Sequence, residues 1–247
     1  LSKIINNYFD EITEKDSIAR KAGIISAADK TMPVEKKNIH SDLNEAVRKN
    51  SEIAFVTYSL LEDTEEKIKF VLAKILEKHQ QEELFTPLYS CIKELIANST
   101  KANAKNILMD EGKIDNPEDL MEVVEKLRTI LNEEALLEYG IKAKERRLST
   151  RTYFKIEGNN LIIQVVNNLA LTKKDLQRIH ERIEKSSQYD SIAEFYIENP
   201  DPIAEGMGLG LSMVVVLLKS INIDYRNFEV TTDFTTKTYA TMRIPLE

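Results

Sequence analysis

Two stretches decide the fold: Glu94-Leu95-Ile96-Ala97-Asn98-Ser99-Thr100-Lys101-Ala102 and Glu205-Gly206-Met207-Gly208-Leu209-Gly210-Leu211-Ser212. The first sits in a helix expected from about Glu83 to Lys105. There Leu88, Ile92, Leu95, Ile96 and Ser99 share one face, and Glu94, Asn98 and Lys101 share another, because helical offsets of four and seven keep side chains on one side. The second face sets a carboxylate, an amide carbonyl and an ammonium within reach of one triphosphate. An Asn carbonyl can supply one of the oxygens that magnesium requires, and Lys101 would neutralise phosphate charge. Glu94 could orient or deprotonate an attacking group. In the second stretch the spacing of Gly206, Gly208 and Gly210 lets the backbone approach phosphates without Cβ clashes. The helix that follows offers its unpaired N–H groups to an anion. Taken singly, a polar helix face is ordinarily just solvated and a Gly-x-Gly-x-Gly is a weak signal. Their joint occurrence in this order gives them weight.

Working outward, Ile53–Leu60 reads as a first strand, rich in β-branched and aromatic residues. A helix starts at Thr64-Glu65-Glu66 and carries Ile68, Val71, Leu72 and Ile75 at helical spacing. Asn116-Pro117-Glu118-Asp119 opens another, with Pro at an early position, and a further helix covers Glu133–Arg146. The period then changes to two. Strands are expected at 151–157 and 161–167, joined by the turn sequence Gly158-Asn159-Asn160. Thr172-Lys173-Lys174-Asp175 opens a helix through Ile183. A loop with Pro200 and Pro202 leads to the glycine stretch, and strands at 227–234 and 237–245 close the pattern.

The 247 residues and their net charge of −7 disfavour unspecific nucleic-acid binding. A local basic cluster, Lys142, Lys144, Arg146, Arg147, Arg151 and Lys155, reads as a solvated helix end and loop. One cysteine, Cys91, excludes a disulfide framework and a cysteine zinc cage. The apolar run Leu209 to Leu218, broken by Gly210 and Ser212, falls far short of the roughly 20 residues of a membrane span. Leu1-Ser2-Lys3-Ile4 leads straight into a mixed polar helix pattern with no apolar signal segment. A cytoplasmic chain with no membrane contact is expected.

Glu94–Ala102 and Glu205–Ser212, in this order, resemble the N box and second glycine box of the GHKL superfamily, the ATPases that include gyrase and the histidine kinases. The form of the glycine box looks most like the histidine-kinase branch, as does the Phe195 to Pro202 stretch before it, which resembles that branch's lid. The resemblance implies an α/β fold: a two-layer sandwich of a mixed, mainly antiparallel sheet with helices on one face. Residues 1–50 would form a helical leader, and 51–247 the ATPase domain with a helical insertion near 107–148. The implied ligands are ATP and Mg2+. Glu94 takes the catalytic position, Asn98 the metal position, and Asn98, Lys101, Asn167, Gly206, Gly208 and Gly210 the nucleotide positions. The implied role is signal transduction, with a protein partner.

The chain departs from that pattern at the adenine end. The family places an Asp-x-Gly-x-Gly motif at a strand end between the boxes. Its Asp binds the adenine amino group and its glycines make room for the ring. Here Asn167 stands for the Asp, and Leu169 and Leu171 for the glycines. An Asn carbonyl still accepts a hydrogen bond, without charge. Asn98 and Asn167 are also 69 positions apart, longer than compact members use; the insertion is either a packed extension of the core or a surface for a partner. No histidine has the phosphoacceptor setting: His180-Glu181 has the local look but follows the adenine-site strand. Two functions therefore stand side by side: a Mg-ATP-binding signalling domain with a degenerate adenine site, and a catalytically inactive pseudo-ATPase serving as an interaction or regulatory module. A gyrase-like mechanical ATPase would need further domains.

Overall fold

In the computed structural model, residues 39–59, 62–114, 133–198 and 209–246 are described. Helix α1 (Ile39–Arg48) leads into β1 (Ile53–Thr57) and α2 (Glu62–Lys78). A 3-10 turn at Glu82–Leu84 feeds the long α3 (Phe85–Asp110), and α4 (Glu133–Glu145) follows. The hairpin β2 (Thr150–Glu157) and β3 (Asn160–Asn167) comes next. Then come α5 (Lys173–Ser186), α6 (Ile192–Glu198), α7 (Leu209–Ser220), β4 (Phe228–Thr232) and β5 (Thr238–Pro245). Most of the expected leader, the helix expected after Asn116, and the loop with Pro200, Pro202, Gly206 and Gly208 lie outside the described residues.

The strands form one five-stranded sheet in the order β1-β2-β3-β5-β4. Every pairing is antiparallel, not mixed as expected. The physical reason lies in the connections. β2–β3 and β4–β5 are hairpins, and the helical crossover after β3 delivers β4 to the edge beyond β5 instead of beside β3. Gly158, at φ 57, opens the two-residue loop of the first hairpin, where an L-residue would be strained. Thr172 caps α5 as its sequence suggested, its hydroxyl accepting the Asp175 N–H at 3.1 Å.

Side chains two apart on a strand share a face. The register therefore groups the face toward the helices into rungs. One rung runs Ile53, Phe154, Ile163, Met242 and Phe228. The next runs Phe55, Thr152, Val165, Ala240 and Val230. These pack with Ile68, Val71, Leu72 and Ile75 of α2, with Leu88, Ile92, Leu95 and Ile96 of α3, and with Val214, Val215 and Leu218 of α7. The helical face read from the sequence of α3 is the face it buries. The third rung is polar across all five strands: Thr57, Thr150, Asn167, Thr238 and Thr232. One end of the sheet is thus an apolar floor and the other a polar one.

A second, smaller core holds the described part of the insertion. Ala104, Ile107 and Leu108 of α3 pack with Ile114, with Tyr139 and Ala143 of α4, and with Leu148. Lys142 bridges to Glu111 and Glu138, and Arg146 to Asp110 and Glu111, so α4 is tied to the end of α3. Lys155 pairs with Glu157. Lys142, Arg146 and Lys155 of the basic cluster are therefore paired with local acids.

The β4–β5 connection hangs on Asp233. Its Oδ1 accepts the backbone N–H groups of Thr235, Thr236 and Lys237 at 2.7 to 2.9 Å, and the Thr236 hydroxyl donates to Oδ2. These bonds favour the carboxylate and hold its pKa far below the usual range. A depressed folded pKa gives stability that is complete above the unfolded value, about 3.9, and is lost as pH falls below it. Asp233→Ala should therefore lower the melting temperature at pH 7. The gap to the native protein should shrink as the pH is taken from 4 toward 2 in thermal melts. An unchanged gap across that range would contradict the assignment.

Candidate functional site

Helix α3 is where the separated segments meet. Glu94 and Asn98, one turn apart, and Lys101 lie on its half-buried side. Gly210, in the first turn of α7, packs against Glu94 so closely that a methyl group there would overlap the Glu94 carboxylate and Cγ. The sequence assigned Gly210 to backbone approach toward phosphate; in the structure its missing Cβ also makes room for Glu94. Helix α3 and the glycine-rich segment are thus joined at one contact. Gly206 and Gly208 lie outside the described residues.

One turn further along α3, Asn167 reaches the same helix from the end of β3. Its Nδ2 donates to the Ser99 carbonyl at 3.3 Å, and its buried Oδ1 has no partner. Ser99 is also tied to the sheet, its hydroxyl 2.6 Å from that of Thr150, the residue opposite Asn167 in the ladder. Asn103, the next turn of α3, donates through Nδ2 to the Leu148 carbonyl and likewise leaves a buried Oδ1 unpaired. Ser99, Thr150 and Asn103 were not read as site residues. The available signal was the placement of Ser99 and Asn103 four apart on the buried side of an otherwise apolar face. Neither Asn98 nor Lys101 forms a hydrogen bond or ion pair with another described residue.

The strand-end loop after Asn167 is fixed in place. Asn168 accepts the Ser149 N–H at 2.6 Å and donates to the Arg147 carbonyl. The Thr238 hydroxyl donates to the Leu169 carbonyl at 2.7 Å, and the Leu171 N–H donates to the Thr232 hydroxyl at 3.2 Å. The side chains at the two glycine positions are also in use. Leu169 packs against the second core, beside Tyr139 and Leu148, and Leu171 against the main core. Both leucines are therefore structural, and replacing them with glycine would open cavities.

The other chemistry-bearing side chains are accounted for. His180, exposed on α5, lies with Nε2 2.9 Å from the Val230 carbonyl; since a carbonyl only accepts, Nε2 carries the hydrogen. Cys91 is buried in the main core, and burial pushes its thiol up to about 12. Among the described residues no three His, Cys, Asp or Glu side chains cluster as a metal site, and no helix is long and apolar enough to cross a membrane.

No family model and no solved structure matches the chain. It is similar to an uncharacterized protein of Treponema pallidum (strain Nichols), 27% identical over 187 residues, which is 74% of this chain and 36% of that protein. The chain spans little more than a third of that relative's length.

The contact between Glu94 and Gly210 has a measurable sign. Alanine in place of a helical glycine ordinarily gains about 0.5–1 kcal/mol. With Glu94 present, Gly210→Ala must displace that side chain and should destabilise the fold. In a Glu94→Ala background the same change should become neutral or stabilising. Urea denaturation of the four proteins of this cycle measures it. Equal effects of Gly210→Ala in both backgrounds would show that the two side chains do not meet.

Proposed function

We propose that the chain is a histidine-kinase-like ATPase domain of the GHKL superfamily that binds Mg-ATP within a signalling system through a modified adenine end. The observation that carries this is convergence on α3. The N box supplies Glu94, Asn98 and Lys101, the glycine box meets it through Gly210, and the strand end meets it through Asn167. Three segments far apart in sequence assemble along two turns of one helix, and this supports the reading.

The residues present fit a magnesium ion that arrives with its nucleotide. Magnesium keeps near-octahedral oxygen ligation and commonly takes one or two protein ligands, the rest being phosphates and water. The carbonyl of Asn98 offers one such ligand. When bound, magnesium would neutralise charge on the phosphates. Asn98 would hold the ion, Lys101 would balance the remaining phosphate charge, and Glu94 would orient or deprotonate the attacking group. At the far end, Asn167 Oδ1 is a buried acceptor in want of an N–H donor, which suits the adenine amino group.

The second reading, a pseudo-ATPase that serves as an interaction module, is favoured by Leu169 and Leu171. Their side chains fill core positions where the family leaves space for the ring. A neutral in place of a charged hydrogen bond forfeits on the order of 1 kcal/mol, and crowding of the ring a further ~1–3 kcal/mol. ATP affinity should then be roughly ten- to a thousandfold below that of relatives with the intact motif.

Calorimetric titration with ATP, with and without magnesium, decides between the readings. Weak but magnesium-dependent binding, whose magnesium dependence disappears in Asn98→Ala and whose affinity falls in Lys101→Ala, is the expected result. Magnesium-dependent affinity untouched by Asn98→Ala would refute the site. No binding at millimolar ATP would leave the pseudo-ATPase reading. In phosphate-transfer assays, His180→Ala should behave as the native protein, because that side chain is committed to the Val230 carbonyl; labelling lost in this variant alone would overturn that view.

A further inference from the structure

Three segments pass between the two hydrophobic cores, and each crosses a polar layer on the way. On α3, Leu95 and Ile96 belong to the main core and Ala104, Ile107 and Leu108 to the second; the buried residues between them are Ser99 and Asn103. Entering β2, Leu148 belongs to the second core and Phe154 to the main one, with Ser149, Thr150 and Thr152 buried between them. Leaving β3, Val165 lies in the main core and Leu169 packs on the second, with Asn167 buried between them. Apolar packing is continuous within each core and interrupted between them. Among the described residues the second core has seven buried members against twenty-eight in the main one. Units divided in this way open separately, and the one with fewer buried apolar contacts opens first.

The strand-end loop depends on the smaller unit. Asn168 is bonded to the segment that follows α4: its N–H donates to the Ser149 carbonyl at 3.3 Å, its Oδ1 accepts the Ser149 N–H, and its Nδ2 donates to the Arg147 carbonyl. Leu169 packs on the second core, and Leu171, two residues on, on the main one. The loop thus bridges both cores. Helix α4 itself is lightly tied. Lys142 pairs with Glu111, and Arg146 with Asp110 and Glu111, all partly exposed; such pairs contribute little. Gly140 sits so close to Ser59 that a Cβ would lie 2.7 Å from its hydroxyl oxygen.

We propose that α4 and the second core form a clamp on the loop after Asn167. Docked, they fix the loop beside the α3 site and lower its affinity for nucleotide. Undocked, with the main core still folded, they release it. The inference rests on the nucleotide-binding reading above and assigns that site its regulation. A loop whose two leucines are seated in different cores cannot yield to an entering ligand, so the ligand favours the released state. By linkage the coupling is reciprocal: whatever frees α4 raises affinity, and nucleotide loosens α4 by the same factor.

Amide hydrogen exchange of the full chain, followed by NMR in increasing urea, tests the clamp. In the native protein the amides of α4, Leu148 and Asn168 should exchange through one shared opening, while Ile163 of β3 exchanges only on global unfolding. Gly140→Val, which forces α4 off Ser59, should speed exchange at Asn168 by about tenfold or more and leave Ile163 nearly unchanged. Mg-ATP should bind this variant several-fold more tightly in calorimetry, and in the native protein it should speed α4 exchange, an arm that needs no variant to fold. Exchange of Asn168 together with Ile163 instead of α4, or of α4 only on global unfolding, would overturn the clamp. A shared opening with Mg-ATP affinity equal in both proteins would overturn its regulatory role while nucleotide binding stands. If neither protein binds Mg-ATP, the nucleotide reading falls and the regulatory role with it.

Discussion

The seating of α3 on the sheet governs the rest of the molecule. Along its first turns the contact is apolar, with Leu88, Ile92, Leu95 and Ile96 over the two hydrophobic rungs. At Ser99 the sheet beneath changes to a polar rung of Thr and Asn, and the helix changes with it. Buried polar groups have to find partners, and good packing alone cannot satisfy them. The Ser99–Thr150 and Asn167–Ser99 hydrogen bonds therefore fix both the depth and the rotation of α3. That rotation turns Glu94, Asn98 and Lys101 to the half-buried side, where Gly210 of α7 meets Glu94.

Two consequences follow for the candidate site. Because α3 is held by the sheet, the N-box side chains project from a rigid element, which suits ligand positioning better than a loop would. Because Gly210 packs on Glu94, the start of α7 and the N box cannot shift independently. The end at Asn167 is different. There the loop after Asn167 is bound to β4 and β5, and its leucines serve two cores. Packing thus claims the same few residues that the proposed reading would need around a base.

Much of the fold was legible in the sequence. The five strands fell within a few residues of their expected positions because their alternation is strong and Gly158 and Thr172 mark local geometry that side chains dictate. The helical face of α3 was legible for the same reason, since its apolar spacing is regular through Ser99. What could not be read was anything set by pairing across long separations. The all-antiparallel sheet depends on where the crossover places β4, and no local pattern encodes that. The pairing of Glu94 with Gly210 spans more than a hundred positions, and the polar rung becomes visible only when five strands are in register. The packing of Leu169 was not legible, because the cluster it packs against includes Tyr139 and Leu148, far from it in sequence.

The central claim is that one ligand site lies along α3 between the glycine box and the end of β3. An NMR titration of isotopically labelled protein with Mg-ATP tests it most directly, since amide shifts report binding residue by residue even when affinity is weak. The account predicts perturbations concentrated in Glu94–Asn103, in Asn167–Leu171 and in the first turn of α7. It also predicts that the side-chain amide of Asn167 moves with them. Perturbations confined to the opposite face of the sheet, around Tyr153 and Gln164, or no perturbation at all, would contradict it.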